Sequence, residues 1–426
     1  MDVVRITGGK KLQGKVCVQG SKNAALPMMA AALLHKGVSV LRQCPKLTDI
    51  FYMEEILRSL GAVTWWEKED LYLDCTFADK TEIPVYLSQK MRSSIILMGA
   101  ILSRHKKVMV GYPGGCVIGA RPVDLHLDVL RQLGVIVKES DTEIAGECSD
   151  IVCTEIRFAR KSVGATEQGI LAAVSANGKI IFHNCALEPE IIHLCTFLNS
   201  MGAKIQGQGT ETISVTGTDG FNGGDMRVPS DRIVAGTYFC AAAITRSEIQ
   251  MENVPMEEME AFLEVYRKIG GQYKGKSGTL IVDGRDVCST AEIKTETYPG
   301  FPTDLQSPIM AVLTTIPGES HIQETIFEDR YKIVPQLRRM GAEIRVEGSH
   351  SWINGGKTLK GCDLRAQELR GGAALVLAGM AAEGTTTLQG YHYVQRGYAR
   401  MIEELNEIGG LLVKDTGINI YENFQF

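Results

Sequence analysis

Two hydrophobic patterns alternate along this chain, and together they return six times. The first is an amphipathic helix closed by a glycine phrase. It reads Leu-Arg-Ser-Leu-Gly-Ala ending at Ala62, Leu-Arg-Gln-Leu-Gly-Val at Val135 and Leu-Asn-Ser-Met-Gly-Ala at Ala203. It continues as Tyr-Arg-Lys-Ile-Gly-Gly at Gly271, Leu-Arg-Arg-Met-Gly-Ala at Ala342 and Leu-Asn-Glu-Ile-Gly-Gly at Gly410. The first glycines, Gly61, Gly134, Gly202, Gly270, Gly341 and Gly409, stand about seventy residues apart. Each is expected to be a left-handed helix cap that leads into a short alternating strand such as Lys204-Ile205-Gln206.

The second pattern is an Ala-rich helix passing through a turn into a β-rich run. It predicts helices around Ala31, Ala100, Ala172, Ala241, Ala311 and Gly379. The runs that follow them are Val38–Leu41, Val108–Val110, Ile180–Phe182, Ile249, His321-Ile322 and Thr386–Leu388. A unit of two helices and several strands is too small to bury both faces alone, so units must stack, three to a domain. A period near seventy exceeds the common solenoid repeats, and the chain's candidate chemistry is unevenly spread over the units. An α/β protein of two domains is the economical arrangement.

Composition narrows the partners. The 426 residues are 44% hydrophobic and 22% charged, as in a soluble globular protein long enough for two domains. A net charge of -5 disfavours nucleic acid as a partner while leaving local cationic sites for anions. Apolar stretches are broken before they reach a membrane span, and Met1–Arg5 lacks the layout of a signal peptide, so no membrane role and a cytoplasmic location are expected. The eleven cysteines then read as reduced thiols, mostly small buried hydrophobes. None are spaced as Cys-x-x-Cys and no metal-ligand cluster stands out, so neither metal nor cofactor is expected.

Several segments carry chemistry. Gly20-Ser21-Lys22-Asn23 enters an Ala-rich helix, placing an ammonium and open backbone N–H groups where an anion would sit. Tyr112-Pro113-Gly114-Gly115-Cys116-Val117-Ile118-Gly119-Ala120-Arg121-Pro122 puts one thiol among three glycines, close to an arginine, in a loop suited to closing on a ligand. Such a thiol suits a proton donor or a nucleophile. Acidic groups open helices at Glu188-Pro189-Glu190, Ser230-Asp231-Arg232 and Pro302-Thr303-Asp304, where an N-cap is the ordinary role. Arg92, Arg121, Arg370 and Arg396 stand at element starts or beside glycines, as a phosphorylated substrate would require.

Taken together, Ser21–Pro27, the run from Pro113 to His126, Glu188–Glu190, Asp231-Arg232, Phe301–Asp304 and Arg396-Gly397-Tyr398 closely resemble the UDP-N-acetylglucosamine enolpyruvyl transferases. The resemblance spans essentially the whole chain. It implies two inside-out α/β barrels, each of three repeated units, with residues 22–229 as one domain and residues 1–21 and 230–426 as the other. The active site is then expected in the cleft between them. It implies that Lys22, Asn23, Arg121, Arg370 and Arg396 hold phosphoenolpyruvate. Asn23, Arg92, Arg121, Pro122, Val123, Asp124, Leu125, Ser162, Val163, Gly164, Asp304 and Ile326 would line the UDP-sugar. Cys116 and Asp304, with Lys22, would be catalytic: the loop thiol matches the general acid for the methylene carbon, with Lys22 as the alternative proton donor, and Asp304 takes the proton of the sugar 3′-hydroxyl.

The chain departs from that pattern in two places. Arg160-Lys161-Ser162 stands where Lys-Val-Ser is frequent, and Glu368 where Asp is frequent. Neither touches the proton-transfer residues. Enolpyruvylshikimate phosphate synthases share the fold and the donor but lack the Cys116 loop. A non-catalytic nucleotide-sugar binder would have no need of Lys22, Cys116, Asp304 and Arg396 together.

Overall fold

In the computed structural model, which describes residues 2–114, 123–276 and 278–416, every pattern repeat becomes one four-stranded sheet with two main helices, the second repeat adding the short helix Val85–Ser88. The third repeat shows the plan. Strand Glu155–Arg157, helix Val163–Ala173, strand Lys179–His183, helix Pro189–Ser200 and strands Lys204–Gln206 and Thr212–Thr216 follow one another. Glu155–Arg157 runs parallel to Lys179–His183, which pairs antiparallel with Thr212–Thr216, which pairs antiparallel with Lys204–Gln206. All six expected β-runs form strands in the second position of their sheets.

The contacts divide the described chain into two units, one running from Gln19 to Pro229, the other joining residues up to Val18 with those from Ser230 onward. Each unit closes on itself by lending a strand across its own sequence. Asp225–Arg227, last in the first unit, runs parallel to Val38–Arg42 in that unit's first sheet. In the other unit Lys15–Cys17 runs parallel to Glu248–Glu252, and Asp2–Thr7 lies antiparallel between Thr385–Gln389 and Leu412–Thr416.

The Ala-rich helices are buried on nearly every side, as an all-round apolar helix must be. In Lys22–Ala32 everything from Ala24 onward is buried, and in Arg232–Ile244 everything from Ile233 onward. Small residues let these helices approach: a Cβ on Gly99 would stand 2.5 Å from the Gln168 carbonyl oxygen of the neighbouring helix. The strands alternate around them, with Leu71 and Leu73 fully buried while Asp70, Tyr72 and Asp74 face outward. Helices inside and sheets outside make each unit the inside-out α/β barrel that the resemblance implied. Phe239 locks one barrel by an edge-on contact with Tyr266 at 4.9 Å between ring centres, an arrangement worth about 1 kcal/mol beyond burial. No helix among the described residues is long and apolar enough to cross a membrane.

The glycine phrases behave as expected. Gly61, Gly134, Gly202, Gly270, Gly341 and Gly409 all have positive φ, at 106°, 85°, 105°, 100°, 98° and 101°. Six of the cysteines, Cys44, Cys75, Cys148, Cys185, Cys195 and Cys240, are buried. Burial pushes the Cys75 and Cys195 thiols up to about 12, which leaves them inert at neutral pH.

Candidate active site

In the unit from Gln19 to Pro229, Ser21 caps the Lys22–Ala32 helix by accepting from the Ala24 amide at 3.3 Å. Lys22 is thereby the first helical residue, and its Nζ lies 3.3 Å from the Asp49 carboxylate. Both side chains are largely enclosed, at 12% and 5% exposure. Asn23 follows, half-buried, and Pro27 inside the same helix has no N–H to offer the Asn23 carbonyl.

Arg92 opens the 3-10 turn Arg92–Ile96. With Tyr112, Pro113, Val123, Asp124 and Arg131 it lines a surface depression. Asp124 and Leu125 begin the Asp124–Gln132 helix, and Arg160 reaches the Asp124 carboxylate at 3.1 Å and 3.2 Å. So the first departure from the family pattern lies directly against Asp124, which the resemblance implies for the UDP-sugar. Ser162 caps the Val163–Ala173 helix through the Ala165 amide. At Gly164 an added Cβ would stand 2.7 Å from the His126 ring, which bonds Gln168 Oε1 at 2.6 Å. Two helix starts, at Asp124 and Val163, are thus brought side by side. Farther along the second helix, burial and then Glu190 and Glu188 push the enclosed Glu167 carboxyl well above the usual carboxylate range.

In the other unit Asp304 does not cap the helix that follows it. It sits in the 3-10 turn Thr303–Leu305 ahead of helix Gln306–Leu313, and its carboxylate is held from two sides. Arg330 donates to Oδ1 at 2.6 Å, and Arg370 donates to Oδ2 at 3.2 Å and 3.1 Å. Both guanidiniums are 2% exposed. Arg330 also gives two hydrogen bonds to the Thr303 carbonyl, and Thr303 donates to Glu324, whose other oxygen accepts from the amides of Ile326 and Phe327. Glu368 caps the Leu369–Ala381 helix through the amides of Arg370 and Gly371. The second departure therefore keeps the capping role that an Asp would have.

Burial works against the Arg370 charge, but Asp304, Tyr398 and Asp231 outweigh it and hold the guanidinium firmly protonated. Its buried Nη1 has no close hydrogen-bond acceptor among the described residues, while the guanidinium lies 5.6 Å from the centre of the Tyr398 ring. Tyr398 rounds off the group, exchanging a hydrogen bond with Thr237 at 2.8 Å. Arg396 ends the 3-10 turn Tyr391–Arg396 and is half-buried. Asp231, the other acidic helix start, is an ordinary cap accepting from Ile233 and Val234.

Cys116, Arg121 and Pro122 lie outside the described residues. Asp49, Glu324 and Arg330 are not singled out by the sequence patterns. Arg330 sits in Glu328-Asp329-Arg330-Tyr331-Lys332, which has the composition of a solvated charge run, and only packing shows it buried.

Residues 6–405 match the family described as EPSP synthase (3-phosphoshikimate 1-carboxyvinyltransferase). Among curated relatives, UDP-N-acetylglucosamine 1-carboxyvinyltransferase 2 of Caldanaerobacter subterraneus subsp. tengcongensis is 43% identical, over 97% of this chain and 100% of its own length. The protein of the same name from Carboxydothermus hydrogenoformans is 40% identical, over 96% and 98%. Among solved structures, the enolpyruvyl transferase NikO from Streptomyces tendae superposes with a TM-score of 0.87 at 22% identity, covering 97% of this chain and 98% of that one. EPSP synthase from Acinetobacter baumannii gives 0.73 at 18% identity, covering 97% and 100%. The two structures establish the fold. With relatives near 40% identity along their whole length, the chain belongs to the enolpyruvyl transferase family, in its UDP-N-acetylglucosamine 1-carboxyvinyltransferase branch.

Proposed function

We propose that this chain transfers the enolpyruvyl group of phosphoenolpyruvate to the 3′-hydroxyl of UDP-N-acetylglucosamine by addition and elimination, releasing phosphate. That reaction is the first committed step of peptidoglycan precursor synthesis. The observation that carries the reading is the Asp304 carboxylate held between the buried Arg330 and Arg370, in a chain so similar to transferases of that name. A carboxylate fixed from two sides cannot swing away, so it can hold a hydroxyl in one orientation for attack.

In this scheme Lys22, Asn23, Arg121, Arg370 and Arg396 take the phosphate and carboxylate of the donor. Arg92, Val123, Asp124, Leu125, Ser162, Val163, Gly164 and Ile326 contact the UDP-sugar, with Pro122 and Asn23. Cys116 delivers a proton to the methylene carbon, and C2 acquires oxocarbenium character. The 3′-oxygen attacks C2 as its proton passes to Asp304, giving a tetrahedral ketal. Return of a methyl proton to the Cys116 thiolate and loss of phosphate restore the alkene. The clustered cations stabilise the anionic groups throughout.

The test is phosphate release from phosphoenolpyruvate, with and without UDP-N-acetylglucosamine, before and after fosfomycin. Acceptor-dependent release that fosfomycin stops is the expected result. Cys116→Asp should stay active, since a carboxyl also donates a proton, while losing fosfomycin sensitivity. UDP-sugar binding without any release would instead favour a non-catalytic nucleotide-sugar binder.

A further inference from the structure

Lys22 stands in a place unfavourable to a cation. Its side chain is 12% exposed, and burial disfavours the charged form of an amine. It is also the first residue of the Lys22–Ala32 helix, the end where the peptide dipoles repel positive charge. Something must offset both effects if the ammonium is to meet an anion.

Asp49 is built for that purpose. It lies in the first turn of the Thr48–Leu60 helix, whose N-cap Leu47 supplies no side-chain acceptor, so the first-turn amides favour the Asp49 charge. Ile50, Met53 and Leu57 anchor that helix with full burial, and the carboxylate is therefore fixed by a packed element. Its 3.3 Å approach to Nζ is looser than the roughly 2.8 Å of a tight charge-assisted bond. An ammonium has three donors, and the Asp49 carboxylate gives one of them a fixed direction.

We propose that Asp49 is a positioning residue: it keeps Lys22 charged and aimed, and so sets how strongly the protein takes up the phosphoenolpyruvate anion. This rests on the donor-binding role proposed above for Lys22. Elements packed on the Lys22–Ala32 helix carry other charged or titratable groups. These are Tyr52, Glu54, Glu55 and Arg58 beside Asp49, Arg92 on its 3-10 turn, Glu190, His193 and Cys195 on helix Pro189–Ser200, and Arg104 and His105 on helix Leu97–His105. Strand Val38–Arg42 adds Arg42. Glu54 is engaged by Arg58, Thr64 and Trp66, Glu55 by Lys90, Arg42 by Asp70 and Asp225, and Arg104 by the Leu33 carbonyl at the opposite end of the helix.

The experiment compares wild type with Asp49→Asn, Asp49→Ser and Asp49→Glu in the full chain, following acceptor-dependent phosphate release across pH. In the neutral variants the alkaline limb of kcat/KM for phosphoenolpyruvate should move down by about one pH unit or more. Their KM for phosphoenolpyruvate should rise about tenfold, with KM for UDP-N-acetylglucosamine held within about twofold. Asp49→Glu should keep the limb near its wild-type position. Loss of packing alone would move neither the limb nor the KM of one substrate selectively. Having two neutral variants leaves a reading if one fails to fold. An unmoved limb, or equal loss toward both substrates, in a folded neutral variant overturns the role of Asp49. A wild type that releases no phosphate overturns the transferase reading instead.

Discussion

Arg330 carries its charge at 2% exposure because acceptors surround it: the Thr303 carbonyl, the Asp304 carboxylate and, at 3.9 Å, Glu368. Removing one partner of a buried pair costs more than the pair contributes, since the other charge is left uncompensated. Arg330→Met should therefore lower unfolding free energy by about 3 kcal/mol, measured in urea. Arg330→Lys should recover little of it, because an ammonium cannot reproduce the fork that spans Thr303 and Asp304. Glu404 is a half-buried acid, hydrogen-bonded by Tyr238, and desolvation raises its carboxyl from 4.5 to about 7. It binds its proton more tightly folded than unfolded, so its contribution is full below pH 4.5 and lost as pH rises through 7. Relative to Glu404→Gln, wild type should lose about 2 kcal/mol of stability between pH 5 and pH 8. A pH-independent difference in urea unfolding would show that no proton is held there.

Among the elements, the six glycine phrases separate two costs of adding a side chain. At Gly202, φ is 105° and the nearest atoms to an added Cβ are 3.9 Å away, so Gly202→Ala tests backbone strain alone. It should cost about 1 kcal/mol. At Gly61, φ is 106° and the same Cβ would meet the Phe77 carbonyl oxygen at 2.4 Å. Gly61→Ala should cost clearly more, as thermal or urea unfolding of the two variants would report; equal costs would mean the Phe77 loop yields freely. These caps were legible because a left-handed residue with a helix before it and a strand after it leaves a strong local pattern. The short 3-10 turns were not, since a run of a few residues has no periodicity to read. Arg92, Asp304 and Arg396 stand on such turns. Their chemistry was visible in the sequence, but their setting was not.

At the scale of the whole molecule, the two units differ in what they need from the chain. Gln19 to Pro229 holds all the strands of its three sheets. The other unit depends on Asp2–Thr7, where Val4 and Ile6 are fully buried between two later strands, and on Lys15–Cys17. Residues 19–229 expressed alone should therefore unfold cooperatively in urea. Residues 230–416 alone should not, and joining residues 2–18 after residue 416 through a flexible linker should restore cooperative unfolding. Cooperative unfolding of 230–416 by itself would show that the borrowed strands are dispensable.

The sixfold repeat, its caps, its strands and the cationic and acidic residues suited to a phosphorylated donor were determined by the sequence alone, because each rests on local periodicity or on residue type. Which charges are buried, and against what, was decided only by the tertiary structure. Asp49 reaches Lys22 from 27 positions away and Arg370 reaches Asp304 from 66, separations at which no local pattern operates. Desolvation and pairing then turn ordinary charged residues into a fixed set of donors and acceptors.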